Sequence, residues 1–356
     1  LVVRDLGLVW LYVADSSCRG YSPLYDRICR TVAESNEVLD LVSEAPPQGH
    51  NPVLLLAAVH YLLLGGLDHP LAEVYAGTSN ADPGPLFVDL CLAHRDDILE
   101  LLATEQVNTN EVGRSAVIGP ALTTVASRMG EPLAHIDVGC SAGLNLHCDR
   151  YRLDYGPAGA TGPVNAAVEI RCDVVGGSPP LAASLPLITA KIGLDRAPLD
   201  VHDPRQSRWQ LACVWPDTGR LERTKVALDE ARRAPLALVR GDAVEDVGGL
   251  IADLPPDATA VVTTTWVVAY FSADQRAGFA RALAAASTTR PVAWISAEHH
   301  GVVDLIPSDG ARKDDNGVEW SALGLVVFRK GRAESAELLG YVHPHGSGLD
   351  WRAASS

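Results

Sequence analysis

The stretch HIDVGCSAGLNLH, residues 135–147, constrains this chain more than any other: an apolar strand runs into a glycine-rich turn and then into the start of a helix. Two unrelated chemistries use that arrangement. In one, Gly139-x-Ser141-x-Gly143 is a nucleophile elbow, a strained turn that presents the serine for acylation. In the other, Asp137 ends the first strand of a sheet and the glycines let the backbone approach a cofactor. The residues on either side decide between them.

Upstream, residues 1 to about 130 read as helical. SPLYDRICRTVAESNEVLDLVSEAP begins at Ser-Pro, repeats its apolar residues every three or four positions, and stops at Pro46-Pro47. LFVDLCLAHRDDILELLAT and NEVGRSAVIGPALTTVASRMG carry the same period, and Gly130 is placed as a C-cap. Downstream, strand and helix alternate: PLAHIDVG, then SAGLNLHCDR as a helix, then YRLDYG as the second strand. The Pro/Gly-rich stretch 157–217 reads as an insertion carrying part of a substrate site. Alternation resumes through PLALVRGD, TAVVTTTW and PVAWISAEH, and the chain closes with two strands joined by a Lys-Gly-Arg hairpin. An α/β-hydrolase places several strands before its elbow, whereas here the turn follows the first strand. The expectation is therefore an α/β fold: a Rossmann-like, mostly parallel sheet with a C-terminal antiparallel pair over 131–356, preceded by an all-helical cap region over 1–130.

Charge narrows the ligand. With 356 residues and a formal net charge of −15, the chain is large enough for a substantial core and too acidic for an extended nucleic-acid surface. A small molecule is the expected partner. Its seven cysteines are scattered without a Cys-x-x-Cys pair, which fits a reducing, cytoplasmic setting. PVLLLAAVHYLLLGG, at 52–66, is shorter than the roughly 20 residues of a membrane span and reads as a buried helix.

The dinucleotide fingerprint is Gly-x-Gly-x-x-Gly, and this loop departs from it. An acid at the strand end repels a pyrophosphate but suits a ligand bearing an ammonium and a sulfonium, which points to S-adenosylmethionine. Successive strand tips in such a sheet line one crevice. Asp137, Gly139, Ser141, Gly143 and Asn145 would then hold the cofactor, with Asp154 on the ribose, Asp242 and Ala243 at the adenine, and Thr264 and Thr265 at the fourth tip. Asp242 serves equally well as a helix cap, and Ser141 as an N-cap.

At this point the chain resembles class I S-adenosylmethionine-dependent methyltransferases over roughly 133–345. More closely, nearly all of it is similar to a mostly actinobacterial family known as domain of unknown function 2332. The likeness rests on NTNEVGR (108–114), DVGCSAGLNLHCDRY (137–151), ACVWPD (212–217), RGDA (240–243) and PVAWISAE (291–298). That family's usual Gln-Thr-Asn-Glu reads Asn108-Thr109-Asn110-Glu111 here. The family implies no reaction.

Candidate chemistry is read from the residues. Glu298 and His299 at the fifth tip, with Glu111, are the acid-base candidates, and Asn110, Arg114, Trp266 and Tyr270 the substrate contacts. WPD with His147-Cys148 lacks the arginine a phosphatase needs, since position 154 is Asp. His299-His300 and His343-Pro-His345 lack a second ligand set with metal spacing, so no metal is expected. Three functions follow: a small-molecule methyltransferase, a non-catalytic or regulatory S-adenosylmethionine- or nucleoside-binding module, and a serine hydrolase. The hydrolase would use Ser141, with Asp242 or Asp304 and one of His299, His300 or His343.

Overall fold

The structure, a computed structural model, describes residues 3–307, 310–314 and 317–353. Its contacts divide the chain into two compact units, one formed chiefly by residues up to Thr109 and by His202–Lys225, the other by Asn110–Val201, Val226–Asp314 and the residues from Glu319 onward.

The first unit is helical: α1 (Val3–Val13), α2 (Pro23–Glu34), α3 (Asn36–Glu44), α4 (Pro52–Leu64), α5 (Leu71–Tyr75), α6 (Pro83–Ala93) and α7 (Arg95–Thr104). Several of them start the same way, with a capping side chain followed by proline at the first helical position: Ser22-Pro23, Asn51-Pro52 and Asp82-Pro83. The single helix expected after Ser22 is two, because the Ser35 hydroxyl accepts the N–H of Val38 and starts α3. The apolar run 52–66 becomes α4, buried over most of its length, and packs with Trp10, Tyr25, Ile28 and Phe87 in one core. No helix of the described residues is long and apolar enough to cross a membrane.

The second unit opens with α8 (Ser115–Met129), which the sequence reading placed with the N-terminal helices. Then follow β1 (Leu133–Val138), β2 (Arg152–Asp154), β3 (Ala160–Thr161), β4 (Glu169–Arg171), β5 (Asp173–Gly176) and β6 (Ile188–Asp195). After α9 (Pro204–Ala212), which lies in the first unit, and α10 (Leu221–Arg233) come β7 (Ala237–Arg240), α11 (Ala243–Ala252), β8 (Thr259–Thr265), α12 (Ala273–Ala286) and β9 (Val292–Glu298). The last strands are β10 (Arg312–Lys313), β11 (Glu319–Arg329), β12 (Arg332–Val342) and β13 (Gly348–Trp351).

The main sheet runs β5-β13-β12-β11-β9-β8-β1-β6-β7, with β10 on β11. From β7 to β9 all neighbours are parallel, while β11 is antiparallel to both β9 and β12. This is a mixed α/β architecture with a helical N-terminal part, a largely parallel central sheet and added antiparallel strands. Every residue of β1, β8 and β9 but one is buried, as strands covered on both faces require. One face carries Ile136, Val262 and Trp294 against Val247 of α11 and Phe279 and Leu283 of α12.

Three expectations need correction. The strand in YRLDYG exists as β2, but it pairs with β3 and β4 in a separate three-stranded sheet. The strand beside β1 is β6, which lies inside the stretch 157–217 read as an insertion. The segment after the glycine turn is a 3-10 helix, Leu144–Arg150.

Candidate functional site

From β1 the chain builds outward through β6 to β7, then crosses back to lay β8 on the other side of β1. In open α/β sheets, ligands bind beyond the carboxyl ends of the strands where the order reverses, because the connections there diverge and leave a crevice. Here that place lies between β1 and β8.

The turn leaving β1 has positive φ at alternate residues: 73° at Gly139, 52° at Ser141 and 72° at Gly143. Glycine takes that conformation freely; serine does so under strain. The strain is held from outside the turn, since the Ser141 N–H donates to Asp195 Oδ2 at 2.8 Å and the Gly139 N–H to the Leu194 carbonyl at 2.8 Å. Ser141 is therefore not the helix N-cap, a place Gly143 takes without a side-chain bond. The Leu144 N–H donates to Asn110 Oδ1 at 2.9 Å, and Asn145 Oδ1 accepts the Ser115 hydroxyl at 2.9 Å. A Cβ at Gly139 would come within 2.5 Å of Val267 Cγ2. The space beside that glycine, expected to be the ligand's, belongs to Val267.

Asp137 is 3% exposed, and its Oδ1 accepts the Thr263 hydroxyl at 2.6 Å. Thr263 Oγ1 lies 2.8 Å from His135 Nε2, so the imidazole donates into a chain that ends on the carboxylate. Burial raises the Asp137 carboxyl to about 7, opposed by the Thr263 bond and the Arg114 charge. Arg114 is itself buried, giving Nη1 to the Thr265 carbonyl at 2.9 Å and Nε to the Pro344 carbonyl at 3.1 Å, with its guanidinium 5.7 Å from the Trp266 ring centre. Glu111 caps the 3-10 turn Val112–Arg114 through the Gly113 N–H at 2.8 Å, and its other oxygen faces His345 Nδ1 at 3.5 Å.

At the tip of β9 the Glu298 carboxylate accepts the N–H groups of Val267 (3.0 Å), Val268 (3.0 Å) and Ala269 (3.3 Å). It shapes the turn after β8, where Trp266 sits at φ 60° and donates its indole N–H to the Ser321 hydroxyl at 2.8 Å. The His299 ring meets that indole edge-on at 4.1 Å between centres, with Nδ1 3.5 Å from Glu319.

Asn110 and Asn145 thus meet at the turn after β1, and Arg114, Trp266 and His299 at the turn after β8, with Glu298 holding that turn from β9. Thr264 turns to the opposite face from Thr263 and accepts the Trp294 indole N–H at 2.9 Å. Asp242 caps α11 through the Val244 N–H and pairs with Arg196 at 2.7 Å, and Ala243 is the first residue of that helix. Asp154 is removed from the strand tips of the main sheet: it ends β2 in the small sheet, bound to the Gly156 N–H and to Arg171. Tyr270 is 81% exposed. Asp195, at the second tip of the main sheet, was missed, as were Thr263 and His135. Among the described residues no group of three or more His, Cys, Asp or Glu is placed to hold a metal.

A family model described as "Uncharacterized protein conserved in bacteria (DUF2332)" matches residues 11–351. No curated protein and no solved structure matches the chain.

Proposed function

We propose that this chain, which belongs to the DUF2332 family of bacterial proteins, binds S-adenosylmethionine at the carboxyl ends of β1 and β8 and passes its methyl group to a small molecule. The observation that carries the reading is Asp137: a buried carboxyl at the switch point, beside a glycine turn, with no ion-pair partner among the described residues. A carboxyl raised to about 7 by burial is relieved by a cationic ligand, and the ammonium and sulfonium of this cofactor supply one. The finer fold reading, a Rossmann-like core of the methyltransferase type, belongs to the same proposal and rests on the parallel order β7-β6-β1-β8-β9.

When bound, the cofactor would supply an electrophilic methyl group, and the protein's contribution would be mainly positioning. Asp137 would hold the cationic end. Asp195 fixes the Ser141 backbone and so the shape of the turn, with two backbone N–H groups, those of Ser141 and Ala197, already on its carboxylate. Glu298, with three backbone N–H groups on it, acts as a positioning residue for the turn at 266–269, and His299 remains the candidate base. Titration calorimetry with S-adenosylmethionine and with its demethylated product tests the assignment. Absence of both heat and thermal shift with either ligand overturns it, and binding without turnover against small acceptors would leave a regulatory module.

A second reading is favoured by the positive φ of Ser141 within Gly-x-Ser-x-Gly, the backbone feature of a nucleophile elbow. A fluorophosphonate probe separates the two. Labelling of the wild type and not of Ser141→Ala makes the protein a serine hydrolase.

A further inference from the structure

A small recess opens beside the carboxyl end of β9, on the face of the sheet away from Thr263. Ser296, Glu298 and His299 form its polar side, and Val303, Ile306 and Ala322 its apolar side. Its interior has room for about one water-sized group. The Ser296 hydroxyl is 1% exposed and has no hydrogen-bond partner among the described residues. Buried hydroxyls are nearly always paired, since leaving one unpaired costs about 1–3 kcal/mol. Glu298 is also 1% exposed and has no ion-pair partner among the described residues; its three bonds are all from neutral backbone N–H groups. Oε1 accepts two of them and Oε2 one, which leaves Oε2 with an unused lone pair.

We propose that this recess is a binding site for the primary ammonium group of a small alkylamine, whose head donates to Ser296 Oγ and Glu298 Oε2 while its alkyl chain leaves along Val303 and Ile306. An ammonium is small enough for the space, brings a donor for each of the two acceptors, and places a positive charge beside the buried carboxylate. A hydroxyl head satisfies Ser296 and leaves the Glu298 charge opposed only from a distance by the Arg114 guanidinium. The recess lies two strands from β1. It faces the other side of the sheet from Asp137, which is paired in register with Thr263, so as a binding site it stands apart from the cofactor reading above.

The test uses the full chain with labelled isoleucine and valine methyl groups, titrated with n-butylamine and, separately, n-butanol. A saturable shift of the Ile306 and Val303 methyl signals with n-butylamine is expected, with n-butanol at least tenfold weaker. Ser296→Ala, which keeps the space and loses the acceptor, should weaken the amine at least tenfold. Ser296→Val, which also fills the space, should abolish it. Thermal unfolding of both variants checks the fold. No saturable shift, equal affinity for alcohol and amine, or undiminished binding in folded Ser296→Val overturns the site. Calorimetry with S-adenosylmethionine on the same preparations separates the two proposals: amine binding without cofactor binding ends only the cofactor reading, and the reverse ends only the recess.

Discussion

Asp137 is kept where its charge is least welcome, and that makes its two roles separable. Its folded value, about 7, lies above the 3.8 of a free side chain, so between those limits the folded protein keeps a proton that the unfolded chain has released. The stability this gives is present at low pH and lost as pH rises through 7. Asp137→Asn, neutral throughout and still able to accept from Thr263, should therefore be more stable than wild type at pH 8, by about 2–4 kcal/mol. The same change should weaken S-adenosylmethionine roughly ten- to a hundredfold through one lost charge-assisted bond. Melting curves and calorimetry at pH 8 check both. Gly139 behaves differently, because a side chain there is strained by its φ of 73° and strikes Val267. Gly139→Val should cost more than about 2 kcal/mol. Adding Val267→Ala should recover part of that loss, a coupling that two independent sites would not show. Asp137 and the glycine turn were legible in the sequence because strand, turn and helix lie within a dozen consecutive residues. That Val267 fills the space beside Gly139 was not, since the two are brought together only by the neighbouring strand β8.

The turn between β8 and the 3-10 helix Val268–Tyr270 depends on a side chain from β9, the next strand. Glu298→Gln keeps one carbonyl oxygen and replaces the other with a donor facing a donor. Amide exchange at Val267, Val268 and Ala269 should quicken at least tenfold, while amides in the core of β1 stay unchanged; equal rates would mean the turn holds without it. Elements whose signal is local were readable: the proline-led helices, β1, and the β11–β12 hairpin through Lys330-Gly331. Elements whose place is set by pairing were not. LITAKIGLD, which contains β6, follows a proline-rich stretch and mixes Thr and Lys with apolar residues, as suits a strand that is only partly buried. Without β6 the second strand tip falls at Asp154, whereas in the sheet it is Asp195.

For the molecule as a whole, three buried histidines set the response to acid. Burial lowers His60 and His147 to about 4 and His135 to about 3, from a normal 6.5. Their contribution is complete above 6.5 and is lost as pH falls toward those values, because the unfolded chain takes up protons the folded one refuses. Each is worth about 3 kcal/mol by pH 4, and Asp137 offsets part of this in the second unit, where His135 and His147 lie. The melting temperature should drop steeply between pH 6.5 and 4.5, and His60→Gln should flatten that drop; an unchanged slope in the variant would show that His60 titrates normally. The far edge of the main sheet has a consequence in time. There β5 lies parallel to β13, with Asp173 opposite Gly348, 175 residues further on. At about 5–20 residues per second, a ribosome that has finished β5 needs roughly 10–35 s to deliver its partner. For that interval the nascent chain carries a strand with nothing to pair with, and the sheet is completed only after β9, β11 and β12 have been made.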